Sequence, residues 1–281
     1  MSITLPGHDF PYWSDPKADD TPPVLIVGAG LSAPMVPLPS WLATDYADRQ
    51  DQIERALGIH TGVVITRGKA EDLYRWAGCC IAELRKLDGA TEDWAKRRLV
   101  NAMGLLEDAR FAANASVPLR GTTPRHRVLA RLAREGRIYS MWSLNWDLWL
   151  EAAFDAVGLI RSNLAPIEAA IGLPSAWIKS YQAWLPPNSP TAKQYSITLY
   201  KPHGCIRALY EGTNSTFRIT DAELKEDAPE NVKNQLQTEL NRKPVCAMGW
   251  GATEENLQKI FMACANASTL SGGLTVVELN R

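Results

Sequence analysis

The nine residues Val24-Leu25-Ile26-Val27-Gly28-Ala29-Gly30-Leu31-Ser32 decide the fold. Four consecutive apolar residues halted by glycine match a strand buried on both faces, since a half-exposed strand would alternate apolar with polar. With Ala33, Gly28-Ala29-Gly30 fits the loose G-x-G-x-x-G/A dinucleotide fingerprint, in which glycines let the backbone approach a pyrophosphate and N–H groups receive its charge. The same small residues also suit a tight strand-to-loop turn with no ligand. Pro34, Pro37 and Pro39 follow and cannot share one continuous helix. A dehydrogenase would start a helix here at once, so hydride transfer is disfavoured.

Downstream of the turn, Asp45 to Leu57 reads as a short helix. Lys69 to Leu87 carries Leu73, Trp76, Ala77, Cys80, Ile81, Leu84 and Leu87 on one helical stripe. Glu92 to Ala113 reads as a further helix with Thr91 as N-cap. This block interrupts the sheet begun at Val24 and is expected as a helical insertion over residues 43–120. The α/β rhythm then resumes. Thr123 caps a helix with Pro124 at its first position and Gly136 just past its end. Ile138 to Leu144 reads as a strand and Asp147 to Val157 as a helix stopped by Gly158. Residues 159–195, with Pro174, Pro186, Pro187 and Pro190, read as an irregular, loop-rich cover. Strands at Ser196–Tyr200, Val245–Met248 and Leu274–Leu279 follow, with a helix at Glu254–Ala265 capped by Thr253. Strands alternating with helices imply an α/β fold, a Rossmann-like, doubly wound and mainly parallel sheet within one domain over residues 1–281.

A chain of 281 residues with 46% hydrophobic and 22% charged residues has the composition of an ordinary globular protein, able to bury a core without disulfides or metals. Thirty Lys and Arg against 31 Asp and Glu leave a net charge of −1 and no block of one sign, so no direct nucleic-acid binding is evident. No apolar run has membrane-spanning length, and the first residues lack the apolar core of a signal peptide. Five cysteines (Cys79, Cys80, Cys205, Cys246 and Cys264) include no C-x-x-C pair. That spacing argues against a disulfide framework and a four-thiolate zinc site, and for reduced thiols in a cytoplasmic protein.

Ligands of open α/β sheets bind beyond the carboxyl ends of the strands. Those ends read Gly28-Ala29-Gly30-Leu31-Ser32, Ser143-Leu144-Asn145-Trp146-Asp147, Lys201-Pro202-His203-Gly204, Gly249-Trp250-Gly251 and Glu278-Leu279-Asn280. Each has an alternative without a ligand. A lone histidine such as His203 can serve packing, and Asp147 at a strand-to-helix junction suits an N-cap. Asn145, further upstream, is freer to face a ligand. The tryptophans Trp142, Trp146 and Trp149 suit core or cover.

These segments resemble, in order and from residue 24 to residue 280, the motifs of the sirtuin-like family. Val24 to Ser32 is similar to its opening motif. Pro124 to Asp147, with His126, Leu129 and Leu132, is similar to its "T-x-N-x-D" region. Lys201-Pro202-His203-Gly204 is similar to its "HG" motif, and Met248-Gly249-Trp250-Gly251 to its later glycine turn. Glu278-Leu279-Asn280 is similar to the last strand. The resemblance implies NAD as substrate and His203 and Asn145 as catalytic residues. Gly28, Ala29, Gly30, Ser32, Asp147, Gly249 and Asn280 would hold the cofactor, with Asn280 on the adenosine ribose. Sirtuin deacylases carry two C-x-x-C zinc pairs after "HG", whereas residues 205–245 hold none, so no zinc is expected. The run Met35-Val36-Pro37-Leu38-Pro39-Ser40-Trp41 resembles bacterial sirtuin-like NAD hydrolases of antiphage defence, in which "P-S-W" follows the glycine turn. The implied function is NAD glycohydrolysis, giving nicotinamide and ADP-ribose, in an abortive-infection effector. Its gate would be a homo-oligomer or a regulatory partner protein encoded nearby. The alternatives are a zinc-free NAD-dependent protein deacylase and a non-catalytic NAD- or ADP-ribose-binding scaffold.

Overall fold

A computed structural model describes residues 22–33, 35–87, 89–108, 123–161, 178–183, 196–211, 217–226, 230–250, 259 and 274–277. Seven strands form one sheet: β1 (Val24–Val27), β2 (Ser140–Ser143), β3 (Leu159–Arg161), β4 (Ile178–Ala183), β5 (Ser196–Tyr200), β6 (Val245–Met248) and β7 (Leu274–Val277). Their order across the sheet is β3-β4-β5-β2-β1-β6-β7. The five strands from β5 to β7 are mutually parallel, while β4 runs antiparallel to β5 and β3 to β4. The expected mainly parallel α/β sheet is therefore present. Within 159–195, read from sequence as irregular, the described residues form the two antiparallel edge strands.

β1 lies at the middle, paired with β2 and β6, and every residue of Val24–Val27 is buried. Alternation along the strands sends Leu25, Val27, Met141, Ile197, Leu199, Cys246 and Met248 to one face. There they pack on Leu129, Ala130 and Ala133 of α4 (Pro124–Arg134) and on Leu150, Ala153 and Phe154 of α5 (Trp149–Ala156). The opposite face carries Ser140, Trp142 and Tyr200, which all donate hydrogen bonds to the Glu239 carboxylate. Glu239 belongs to α8 (Glu230–Leu240), so helices cover both faces.

A second core gathers α1 (Pro39–Leu57), α2 (Ala70–Leu84) and α3 (Glu92–Ala102) through Leu42, Tyr46, Leu73, Trp76, Cys80 and Leu99. Helix α1 starts six residues before the expected Asp45 because Pro39 occupies its first turn, where the missing N–H costs nothing. The α2 stripe is buried as read except for Leu87, which lies beyond the helix end and is exposed. Thr91 and Thr123 cap α3 and α4 as expected, accepting from Trp94 N at 3.2 Å and His126 N at 3.4 Å. Two short helices, α6 (Ile206–Glu211) and α7 (Asp221–Lys225), follow β5. No described helix is long and apolar enough to cross a membrane. Of the expected helix at 254–265 only residue 259 is among the described residues.

Candidate active site

Parallel pairing brings Val27, Ser143, Tyr200 and Met248, or residues paired beside them, to one edge of the sheet. The loops that follow these strands therefore converge. The strand order turns about β1 and β6: the chain leaves β1 towards β2 and β5, then returns to β6 on the other side. Such a switch point opens the crevice in which α/β sheets hold nucleotides.

Its floor is two glycine turns pressed together. Gly28 N–H donates to the Met248 carbonyl at 3.0 Å and Gly30 N–H to the Gly249 carbonyl at 2.9 Å. A Cβ on Gly28 would stand 2.5 Å from Gly249 O, and one on Gly249 would stand 2.4 Å from Leu31 N. Gly249 also has a φ of 59°. These glycines are thus required by the approach of one turn to the other, a demand that the fingerprint reading did not contain. Ala29 to Leu31 form one 3-10 turn, and Leu31 and Ser32 N–H donate to Gly28 and Ala29 carbonyls. The Arg125 guanidinium lies beside this turn, donating to the carbonyls of Gly30 at 3.4 Å and Ala33 at 3.3 Å. Sequence reading passed over Arg125 because nothing local distinguishes it from the other arginines of α4.

Under the turn lies a buried polar cluster. Ser32 Oγ donates to Asp147 Oδ2 at 2.9 Å and accepts from Asn145 Nδ2 at 3.1 Å. His126 Nε2 stands 3.3 Å from the same hydroxyl, and its Nδ1 lies 2.6 Å from Thr123 Oγ1. Burial first, then the Arg125 charge, depress His126 to about 4 against an opposing pull from Glu151, so the ring is neutral at pH 7. Asp147 Oδ1 accepts from Trp149 N at 3.0 Å, the N-cap-like role read from its position. Burial raises the Asp147 pKa, opposed by Lys201 and by its hydrogen bonds. Ser32, expected to help hold a pyrophosphate, is almost fully buried and its hydroxyl is committed to this cluster.

Lys201 directly follows β5 and is only 1% exposed. Its Nζ donates to the Asp147 carbonyl and to Glu151 Oε1 at 3.0 Å. Burial alone would lower its pKa; Glu151, Cys205 and Asp147 outweigh it and keep the ammonium charged. Sequence reading missed this pair because its members lie 50 residues apart on different elements.

His203 sits two residues on, in a turn closed by Gly204 N–H on the Lys201 carbonyl at 2.9 Å, with Gly204 at φ 77°. The imidazole is partly buried and hydrogen-bonds the Leu144 backbone, which brings it beside Asn145. Burial, then the nearby Arg218 charge, lowers its pKa to about 4 despite that bond. The His203 carbonyl accepts from Arg218 N–H at 3.0 Å, and Ile206 N–H donates to the Trp146 carbonyl at 3.2 Å. The β5 and β2 loops are thus laced together.

Asn145 is 6% exposed and its Oδ1 has no hydrogen-bond partner. A buried acceptor left unmade costs about 1–3 kcal/mol, so such an atom marks a place where a ligand or water donor is wanted. A ribose hydroxyl or a carboxamide N–H has that chemistry, so the residues present fit NAD. Of the expected site, Gly28, Ala29, Gly30, Ser32, Asn145, Asp147, His203 and Gly249 come together on this edge; Asn280 lies outside the described residues. Among the described residues no group of three or more His, Cys, Asp or Glu is arranged to hold a metal ion.

No curated protein matches the chain. A family model does: one described as a SIR2-like domain matches residues 140–277, the segment from β2 to β7 that holds Asn145, Asp147, Lys201, His203 and Gly249.

Proposed function

We propose that the chain is an NAD glycohydrolase, cleaving NAD to nicotinamide and ADP-ribose. The observation that carries the reading is the buried, unpartnered Asn145 Oδ1, one residue on from the Leu144 backbone that a neutral His203 hydrogen-bonds, at the switch point of a sheet matched by a SIR2-like family model. In the reaction the N-glycosidic bond breaks, nicotinamide leaves as a neutral molecule from a cationic ring, and water oxygen bonds to the ribosyl carbon as in other glycosyl transfers. No general acid is needed for that leaving group. His203 accepts the proton of the attacking water, directly or through a ribose hydroxyl. Asn145 Oδ1 accepts a hydrogen bond from ribose or water and fixes its direction. The Gly28–Leu31 turn and Gly249 form the floor for the pyrophosphate, with the Arg125 charge beside it.

Unchecked hydrolysis would drain a cell of NAD, which suits a gated effector of antiphage defence. We assign the gate to a second copy or a partner protein acting on the helical block. A physical route supports this. Lys96 of α3 pairs with Glu223, whose carboxylate accepts from Ile219 N at 3.1 Å and Thr220 N at 3.0 Å. The adjacent Arg218 bonds the His203 carbonyl, so movement of α3 pulls on the loop that holds the imidazole.

Chromatography of NAD incubated with wild type, His203→Ala and Asn145→Ala, with and without the genomically neighbouring protein, tests the assignment. Nicotinamide and ADP-ribose should appear in equal amounts with wild type and fall about 100-fold or more in both variants. Undiminished turnover in both variants would sink it.

A further inference from the structure

We infer that Asp147 is a positioning residue that, through the single proton of Ser32, sets which end of the Asn145 amide faces the ligand. The inference rests on the NAD site above and deepens it. The Ser32 hydroxyl donates to Asp147 Oδ2 at 2.9 Å, an arrangement that the neighbouring Lys201 charge favours against the upward pull of burial on the carboxyl. The hydroxyl proton is then spent, and everything else reaching Ser32 Oγ must donate to it. Asn145 does so through Nδ2 at 3.1 Å. His126 does so through Nε2–H at 3.3 Å, with the Thr123 hydroxyl 2.6 Å from the opposite ring nitrogen. With Nδ2 held, Oδ1 is the end left without a partner. The site therefore presents an acceptor and demands a donor from whatever enters. The geometry is held from behind as well: Trp149 N–H fixes Asp147 Oδ1, and Lys201 Nζ fixes the Asp147 carbonyl.

The polarity can be reversed without changing shape. In Asp147→Asn, Trp149 N–H keeps the amide oxygen, so the amide nitrogen faces Ser32 and donates. The Ser32 proton then turns to Asn145, the nearer of its two other partners at 3.1 Å against 3.3 Å for His126 Nε2, and Asn145 offers its oxygen and exposes Nδ2. Asn145→Asp puts two carboxylates on one hydroxyl proton. The double variant restores the order. The new amide at position 147 donates to Ser32, Ser32 donates to the new carboxylate at position 145, and the other oxygen of that carboxylate faces the ligand as an acceptor. A residue that served only to keep the fold would not be rescued by exchanging amide and carboxylate.

The test measures NAD turnover and NAD affinity for wild type, the two single variants and the double variant. It also measures hydrogen exchange of the Asn145 side-chain amide by NMR, which reads the hydrogen bond whether or not turnover occurs. We expect kcat/KM about 100-fold lower in each single variant, with at least about 10-fold recovered in the double. The Nδ2 protons should be protected in wild type and lose that protection in Asp147→Asn. Equal protection in wild type and Asp147→Asn, or full turnover in Asp147→Asn, would overturn the inference while leaving the NAD site intact. Full turnover in Asn145→Ala would instead overturn the site itself.

Discussion

At the scale of single residues, the role proposed for His203 depends on its being uncharged. Burial and the Arg218 guanidinium depress its pKa from 6.5 to about 4, so the ring accepts a proton across the whole neutral range. Two consequences can be measured. As a free-enzyme base, His203 should give kcat/KM an acid limb near pH 4, and Arg218→Gln should move that limb upward by removing the second cause. A limb at about 6.5 in wild type would show an unperturbed histidine. Linkage runs the same way. Between pH 6.5 and about 4 the unfolded chain holds a proton on this residue that the folded chain does not, so stability falls as pH drops through that window and levels off below it. Much at this scale was legible: His203, Asn145 and Asp147 are strand-end polar residues in the positions read for them. What stayed hidden were partnerships made by folding, such as Ser32 with Asp147 across 115 residues and Lys201 with Glu151 across 50. No local pattern encodes either.

At the scale of elements, the close packing of the β1 and β6 turns explains why three glycines are spent there. Gly249→Ala should destabilise the protein by about 2–3 kcal/mol or more, because its Cβ meets backbone and its φ is positive. Gly58→Ala is the control: φ is 71° but the space around it is open, so about 1 kcal/mol of conformational cost is expected. Denaturant unfolding of the two variants compares them directly. Equal loss in both would remove the argument for turn-on-turn contact. Caps and starts were legible where their chemistry is local, as with Thr91, Thr123 and Pro124, whereas the start at Pro39 was read six residues late, at Asp45. The edge strands β3 and β4 were not, because they are short, lie among prolines and gain their identity only by pairing, β4 with β5 and β3 with β4.

At the scale of the whole molecule, the site depends on strand order. The run of strands and helices along the sequence indicated a parallel α/β sheet. It did not say that β1 sits between β2 and β6, which is what converges the four loops on one crevice. That order is decided by long-range pairing, with Val27 opposite both Ser143 and Met248. The helical block adds a second core that also takes in Trp149, Ile206 and Phe217, residues flanking the site on α5, α6 and the loop before α7. The block is therefore packed onto the site's supports, as a gate would require. The central claim, that the carboxyl edge of β1, β2, β5 and β6 holds NAD, is tested most directly by calorimetric titration of NAD into wild type and Asn145→Ala. One site per chain is predicted in wild type, with a loss of affinity of about 10-fold or more in the variant, from one lost hydrogen bond of about 1.5 kcal/mol. Identical isotherms for the two proteins would contradict it.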